Sequence, residues 1–169
     1  MDAIELRATQ APLKERYKND PKAAFVTLQA RGAINQEGIA CKVETGRTLA
    51  MAGLHPATGG SGLELCSGDM LLEALVACAG VTLKSVATAL EVPLKAGHVV
   101  AEGDLDFRGT LGVDKEAPVG FAAIRLRFDL ETDAPQDKLD LLLKLTERYC
   151  VVYQTIKNGP VVSVSMRRL

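Results

Sequence analysis

The chain has 169 residues, of which 47% are hydrophobic and 24% are charged, and its formal net charge is −1. This length is enough for one domain with a substantial core. The near-neutral charge gives no reason to expect nucleic acid or an anionic membrane surface as a partner. The amino terminus has early acidic residues and no apolar stretch of the kind found in secretory signals. We therefore expect a cytoplasmic protein that binds neither nucleic acid nor membrane.

Residues 1–22 are polar and of mixed charge, and we predict an N-terminal arm whose short helix ends at Pro21. A single domain is predicted over residues 23–169. It begins with three strands in which apolar and polar residues alternate. These strands cover residues 24–31, 39–43 and 48–54.

A loop rich in glycine and serine follows the third strand and contains His55. It leads into a long helix predicted over residues 69–91, which we expect Ser67 or Asp69 to cap. This helix is apolar around almost its whole circumference, so it must be covered on nearly every side. Its longest apolar run is about ten residues, shorter than a membrane span requires. We therefore predict a central core helix.

The remainder of the chain alternates between the two periodicities. Residues 99–107 and 122–130 read as strands with one apolar and one polar face. An amphipathic helix over residues 137–149, a short helix from Cys150 to Asn158 and a closing strand over 162–166 follow. The order βββ-α-ββ-αα-β indicates an α+β fold in which an antiparallel sheet wraps the central helix. Because one small sheet cannot cover a whole helix, we expect a homodimer.

Four cysteines, at positions 41, 66, 78 and 150, lack the close pairing of a zinc site, and we predict no metal. Cys41 reads as an apolar strand residue. Cys66, in the loop that enters the helix, is interpreted as an inert thiol, with a third redox thiol as the alternative. Cys150, at the start of a helix, should gain from backbone N–H groups and the helix dipole. Cys78 lies deep inside its own helix, so a thiolate there would need a cation held nearby by a carboxylate. Spacing alone leaves open that both are packed core thiols.

Three segments resemble the OsmC/Ohr family over roughly residues 38–169. CSGDMLLEALVACAGVTLKSVA resembles its central-helix motif, AEGDLDFRGTLG the strand that follows, and TERYCVVYQTIKNGPVVSVSM the region of its second cysteine. The resemblance implies an intertwined homodimer with sites at the subunit interface. It also implies thiol-dependent reduction of organic hydroperoxides, an antioxidant stress response, without a cofactor.

Carried over from that resemblance, Cys78 would attack the peroxide and become a sulfenic acid. Cys150 would resolve it as a disulfide, and an external dithiol, small or protein-bound, would reopen that bond. The family's glutamate falls at Gly68, and we take the adjacent Asp69 as its replacement. The family's upstream arginine falls at Thr58.

Three residues are candidates to replace this arginine: His55, Arg47 and Arg31. A protonated His55 imidazole could stabilise a thiolate. The alternative function is a non-catalytic OsmC-like dimer that binds a small apolar ligand at its interface. A protein-interaction adaptor is a third interpretation, supported only by the apolar helix.

Overall fold

The computed structural model describes residues 3–33, 42–43, 52–63 and 65–168. The helices are α1 (Ala3–Asn19), α2 (Ser67–Ala89), α3 (Phe107–Thr110), α4 (Gln136–Tyr149) and α5 (Val151–Asn158), with 3-10 turns at Pro21–Ala24 and Pro56–Thr58. The strands are β1 (Phe25–Ala33), β2 (Lys42–Val43), β3 (Ala52–Gly53), β4 (Leu65–Cys66), β5 (Ala96–Asp106) and β6 (Phe121–Glu131). The predicted strands 39–43 and 48–54 fall only partly within these ranges, and Cys41 lies outside them.

Four of the strands form an antiparallel sheet in the order β2-β1-β5-β6. β5 is its central element and pairs along its length with both β1 and β6. β3 and β4 form a separate two-stranded parallel sheet directly before α2. The mixed architecture of an antiparallel sheet packed with several helices confirms the predicted fold class, and the intertwined dimer stays a prediction.

α2 forms the core of the protein because one side of it packs on the sheet and on the last two helices. Its fully buried leucines and valine recur at helical spacing, which is typical of a core-facing stripe. These residues are Leu72, Leu75, Val76 and Leu83. From the sheet, Val99 and Ala101 of β5 meet them and are fully buried. The alternation predicted for β5 is therefore confirmed at these positions.

The end of β5 differs from the prediction. The alternation places Asp106 on the polar, solvent-exposed face of the predicted strand, but its side chain is 1% exposed. Phe107 begins α3 instead of continuing the strand. Asp106 forms hydrogen bonds through its carboxylate to the backbone N–H and the guanidinium of Arg108. These hydrogen bonds stabilise the turn by which the chain leaves the sheet after β5.

The start of α2 also differs from the prediction, because neither Ser67 nor Asp69 caps it. The N-cap is Cys66, which makes no side-chain cap hydrogen bond, and Ser67 is the first helical residue. Leu65 and Cys66 are held extended by their parallel pairing with β3, so the helix begins where that pairing stops. Asp69 lies in the first turn, where the helix dipole favours a negative charge.

The N-terminal segment is helical over Ala3–Asn19, longer than predicted, and includes Pro12. Tyr17 is 2% exposed, and its hydroxyl donates to the Ala57 carbonyl at 2.6 Å. This helix therefore holds the turn that follows His55. The division into an arm and a domain stays a prediction.

The predicted closing strand is wrong for the single chain. Residues 159–168 form no strand, and the side chains of Val161, Val162, Val164 and Met166 are between 77% and 101% exposed. Within the described ranges no strand pairs with this segment, so its apolar alternation has no face to bury.

One face of α2 is also uncovered in the single chain. Leu71 and Val81 are 40% and 38% exposed, and Ala74 and Ser85 on the same stripe are exposed. By length and apolarity alone α2 meets the requirements of a membrane-spanning helix, as core helices of globular proteins also do. The expectation that the chain binds no membrane stays a prediction.

Candidate active site

Cys78 lies on the uncovered stripe of α2, opposite the start of α5, and is half-buried. Its sulfur receives hydrogen bonds from the backbone N–H groups of Val151 and Val152. The thiol of Cys150 and the hydroxyl of Thr82 donate to the same sulfur. Because the first N–H groups of a helix have no partner within it, the start of α5 is free to bind an anion. The Cys78 sulfur occupies that position.

The surroundings of Cys78 act on its pKa in two directions. Burial raises the pKa of this thiol, whereas the hydrogen bonds from Val152, Cys150, Thr82 and Val151 lower it, and the net result is a pKa below the ordinary value. These four donors are all neutral. The expectation that a thiolate here needs a cation stays a prediction, because the side chains of Arg31 and Arg47 are not among those described. The start of α5 supplies a favourable dipole where that of α2 does not.

Cys150 joins two helices and is 1% exposed. It ends α4, where its N–H donates to the Thr146 carbonyl at 2.9 Å, and it caps α5, where its sulfur accepts from the Tyr153 N–H at 3.5 Å. Burial raises the pKa of Cys150 to about 11, and the neighbouring Cys78 sulfur adds to this effect. The backbone N–H groups were expected to favour its thiolate, but they do not offset these two causes. Of the two thiols, Cys78 therefore ionises more readily and Cys150 holds its proton more tightly.

His55 lies at the other end of the core. Its Nδ1 accepts a hydrogen bond from the Ala57 N–H at 3.0 Å, and its ring stacks on Phe107 with centroids 4.9 Å apart. Burial lowers the pKa of His55, and the nearby Asp69 charge opposes this only in part. An accepting Nδ1 and a lowered pKa favour the neutral imidazole over the protonated form that could stabilise a thiolate.

Asp69 lies beside His55, and burial raises the pKa of its carboxyl while His55 lowers it. Asp69 and Cys78 are nine residues apart on α2, a rise of about 13 Å and about half a turn of rotation. The structure thus brings His55 to Asp69 and Cys78 to Cys150. Within one chain the two pairs lie apart.

Of two cavities in the structure, one is lined by His55 and the other by none of these four residues. A cavity of about 420 Å³ beside His55 is lined by Cys66, Leu71 and Phe107 among others. A groove of about 460 Å³ lies between β6 and α5, with Leu75 of α2 in its wall and Lys157 at its polar end. Both are mainly apolar, as small-molecule sites usually are.

The other two candidates to replace the family's arginine cannot be placed relative to Cys78. Arg47 is not among the described residues, and for Arg31 only the backbone is described, so neither guanidinium can be related to Cys78. In the described part of the chain, no group of three or more His, Cys, Asp or Glu side chains could hold a metal ion.

Sequence reasoning missed the two backbone donors, Val151 and Val152. Backbone N–H groups carry no residue signature, and only the packing of α5 on α2 brings them to the sulfur. Thr82, four residues after Cys78, could be placed on the thiol's face from helical spacing.

Comparisons with known proteins agree on one family. The sequence profile of the family described as "OsmC-like protein" matches residues 60–165. No curated protein sequence matches the chain. The fold is similar to the crystal structure of an OsmC-like hydroperoxide resistance protein from Jannaschia sp. CCS1, with a TM-score of 0.62 and 13% sequence identity. That similarity covers 86% of this chain and 95% of the other. The family match spans more than half of the chain, which therefore belongs to the OsmC-like protein family.

Proposed function

We propose that the protein is a thiol-dependent peroxidase that reduces organic hydroperoxides. The observation that carries the proposal is the arrangement of the two sulfurs, in which Cys78 has a lowered pKa and hydrogen bonds to Cys150. A nucleophilic thiolate beside a protonated second thiol is what two-step peroxide reduction requires. Membership of the OsmC-like family and the hydroperoxide resistance described for the Jannaschia protein support the same chemistry.

In the first step, the Cys78 thiolate attacks one oxygen of the hydroperoxide. A sulfur–oxygen bond forms and the oxygen–oxygen bond breaks, so sulfur loses two electrons and the peroxide gains them. The departing alkoxide takes the proton of the Cys150 thiol and leaves as an alcohol. The raised pKa of Cys150 keeps that proton in place until the alkoxide appears.

In the second step, the Cys150 thiolate attacks the sulfur of the Cys78 sulfenic acid. The disulfide forms, and the hydroxide that leaves takes one proton from solvent to become water. An external dithiol, small or protein-bound, then reduces the disulfide by thiol exchange and returns both cysteines to the starting state.

We also propose that the working form is a homodimer, because Cys78 lies on the face of α2 that one chain leaves uncovered. Leu71 and Val81 flank it on the same stripe and are partly exposed. A second copy packed on this stripe would bury them and exclude water from the thiolate. The exposed apolar segment 161–166 offers further surface for the same contact.

One observation favours a second candidate, the binding of a small apolar ligand without catalysis. The groove between β6 and α5 is apolar and about 460 Å³ in volume. A ligand in it would not require an ionised Cys78, so the reactivity of that thiol separates the two functions.

The test is sulfenic acid trapping with dimedone after treatment with cumene hydroperoxide. In Cys150→Ser, the sulfenic acid at Cys78 cannot be resolved, so we expect one dimedone adduct on the Cys78 peptide by mass spectrometry. Cys66→Ser is the matched control and should form the internal disulfide as the unaltered protein does. An unmodified Cys78 in Cys150→Ser at millimolar peroxide would leave only the ligand-binding function.

A further inference from the structure

One long edge of the main sheet has no neighbouring strand among the described residues. β6 is the last strand in the order β2-β1-β5-β6, and it pairs over Phe121–Glu131 with β5 alone. Such an edge presents a row of backbone N–H and C=O groups that can pair with another strand. Natural edge strands are usually short, interrupted by proline or covered, whereas β6 has eleven residues and no proline. This edge is therefore a surface to which a further strand can be added.

An apolar cleft follows the same strand. The groove of about 460 Å³ between β6 and α5 continues into a groove of about 400 Å³ between β6 and α4. The two are continuous because Leu126, Phe128 and Leu143 line both of them. Leu143 of α4 is 45% exposed, and the cleft-facing residues of β6 are only half-buried. An elongated apolar cleft beside a free strand edge fits an extended peptide segment.

The segment 161–166 has the residue pattern that this edge requires. Val162, Val164 and Met166 alternate with serines, which is the period of a strand. From Ile124 to Glu131, half-buried apolar residues of β6 alternate with exposed polar ones in the same period. A strand added beside β6 would therefore place its apolar side chains in the cleft and its serines on the polar face of the sheet. Six extended residues span about 20 Å, which fits within the length of β6.

The segment does not occupy the cleft of its own chain, where its apolar side chains are between 77% and 101% exposed. α5, which precedes it, ends beside the half of β6 that begins at Phe121, since Ile156 and Lys157 line the groove there. A segment folded back from that point would run parallel to β6, in a sheet whose described pairings are all antiparallel. A second copy in the opposite orientation would supply the segment as an antiparallel strand.

We infer that the segment 161–166 of a second copy docks on the edge of β6 as an added antiparallel strand, with its apolar side chains in the cleft. This docking rests on the proposed homodimer and names the surfaces through which its two copies join. In a two-fold symmetric dimer each copy gives its own segment and receives that of the other. The docked strand fills the groove that was considered above for a small apolar ligand.

The test is hydrogen exchange of the full chain, read by mass spectrometry on peptides that cover β6, with sedimentation of the same samples. Val164→Asp places a carboxylate on the cleft side of the segment. Ser163→Asp is the matched control, because it places the same charge on the polar side. Val164 is 92% exposed in the single chain, so its replacement should leave the fold of each copy intact.

We expect the β6 amides to be protected in the unaltered dimer and to exchange about tenfold faster in Val164→Asp, because an apolar cleft does not accept an unpaired carboxylate. Ser163→Asp should exchange as the unaltered protein does. If β6 exchanges equally in Val164→Asp and in an unaltered dimer, the docking is wrong and the homodimer stands on other contacts. If the unaltered protein sediments as a monomer of 18.0 kDa, both are wrong.

A mixed sample separates the segment of the partner from that of the same chain. Isotope-labelled chains that carry photoreactive benzoylphenylalanine in place of Ser163 are refolded with unlabelled, unaltered chains and irradiated. We expect crosslinks that join the labelled segment to unlabelled peptides from β6. Crosslinks to β6 within the labelled chain alone would show that the segment folds back, and would overturn the docking. Neither readout uses peroxide, so both are independent of the proposed peroxidase.

Discussion

At the scale of single residues, the pKa values of the two neighbouring thiols are shifted in opposite directions: that of Cys78 is lowered and that of Cys150 is raised. A hydrogen bond to a charged group contributes about 1.5–3 kcal/mol, and one pKa unit corresponds to about 1.4 kcal/mol. Several donors on Cys78 can therefore outweigh the cost of its partial burial. Cys150 is buried more completely and donates its S–H in a hydrogen bond to the Cys78 sulfur, so its pKa is raised.

This asymmetry predicts the order in which the thiols react. With a pKa of about 11, only about one Cys150 side chain in a thousand is ionised at pH 8, whereas the pKa of Cys78 lies below that of an ordinary thiol. Limited iodoacetamide at pH 8 should therefore label Cys78 well before Cys150, as read from the two peptides. In denaturant the preference should disappear. Faster labelling of Cys150 in the folded protein would contradict this assignment.

The buried carboxylate of Asp106 predicts a pH-dependent contribution to stability. The Arg108 guanidinium beside Asp106 holds the pKa of this carboxyl below its usual value. A lowered pKa stabilises the fold above the ordinary value of 3.8, and this stabilisation is lost as the pH falls through the lowered pKa.

Asp106→Asn should therefore lower the free energy of unfolding at pH 7, and the difference from the unaltered protein should shrink at pH 3. Urea denaturation at both values measures it, with Asp137→Asn on the exposed surface of α4 as the control. An equal difference at both pH values would show that the ion pair with Arg108 is not the cause.

At the scale of elements, α5 acts on the site through its first turn. Val151 is the first helical residue, 70% exposed, and its N–H points at the Cys78 sulfur. Proline is well tolerated at this position of a helix, and the preceding Cys150 has an extended backbone of the kind that proline requires. The N–H can therefore be removed with little disturbance of α5.

Val151→Pro should raise the midpoint pH of Cys78 alkylation by about half a unit to one unit, since one donor to a charged sulfur is lost. Val151→Ala, which keeps the N–H, should leave the midpoint unchanged. Circular dichroism checks that helix content is retained. Equal midpoints in the two variants would mean that the N–H of Val151 does not stabilise the thiolate.

At the scale of the whole molecule, the structure leaves a stripe of α2 and the segment 161–166 uncovered, and the proposed second copy would cover both. Sedimentation should then give a mass twice the 18.0 kDa of one chain. Val81→Glu, in the middle of the stripe, should shift the protein towards the monomer because it places a charge in an apolar contact.

Lys138→Gln on the exposed side of α4 makes the net charge more negative by the same one unit, so it is the control and should stay dimeric. Association of the unaltered protein with lipid vesicles as a monomer would instead indicate that α2 faces a membrane. That outcome would contradict the dimer.

Much of this architecture could be predicted from the sequence, because local residue patterns determine which elements form. Features that depend on a particular contact partner could not be predicted. The alternation around Val99 and the apolar circumference around Leu75 are local patterns, and they gave the elements and their buried faces correctly. The buried state of Asp106 could not be predicted, because it depends on a partner two residues away folding back onto it. The segment 161–166 has a strand pattern, but a strand also needs a neighbour, which a pattern does not specify.

The same distinction between local pattern and tertiary packing applies to the candidate active site. Cys78 and Cys150 could be proposed together from their residue type and motifs, and the structure places them in contact. Their protonation states depend on tertiary packing, because the start of α5 is brought to α2 by contacts far apart in sequence. His55 and Asp69 were proposed as part of the same site, but in one chain they form a separate pair.

The proposed redox pairing of an ionised Cys78 with Cys150 is tested most directly by treating the reduced protein with one equivalent of cumene hydroperoxide and mapping its cysteines by mass spectrometry under non-reducing conditions. We expect two thiols to be lost, one disulfide to link the Cys78 and Cys150 peptides, and Cys66 to remain free. Recovery of Cys78 and Cys150 as free thiols would contradict the account.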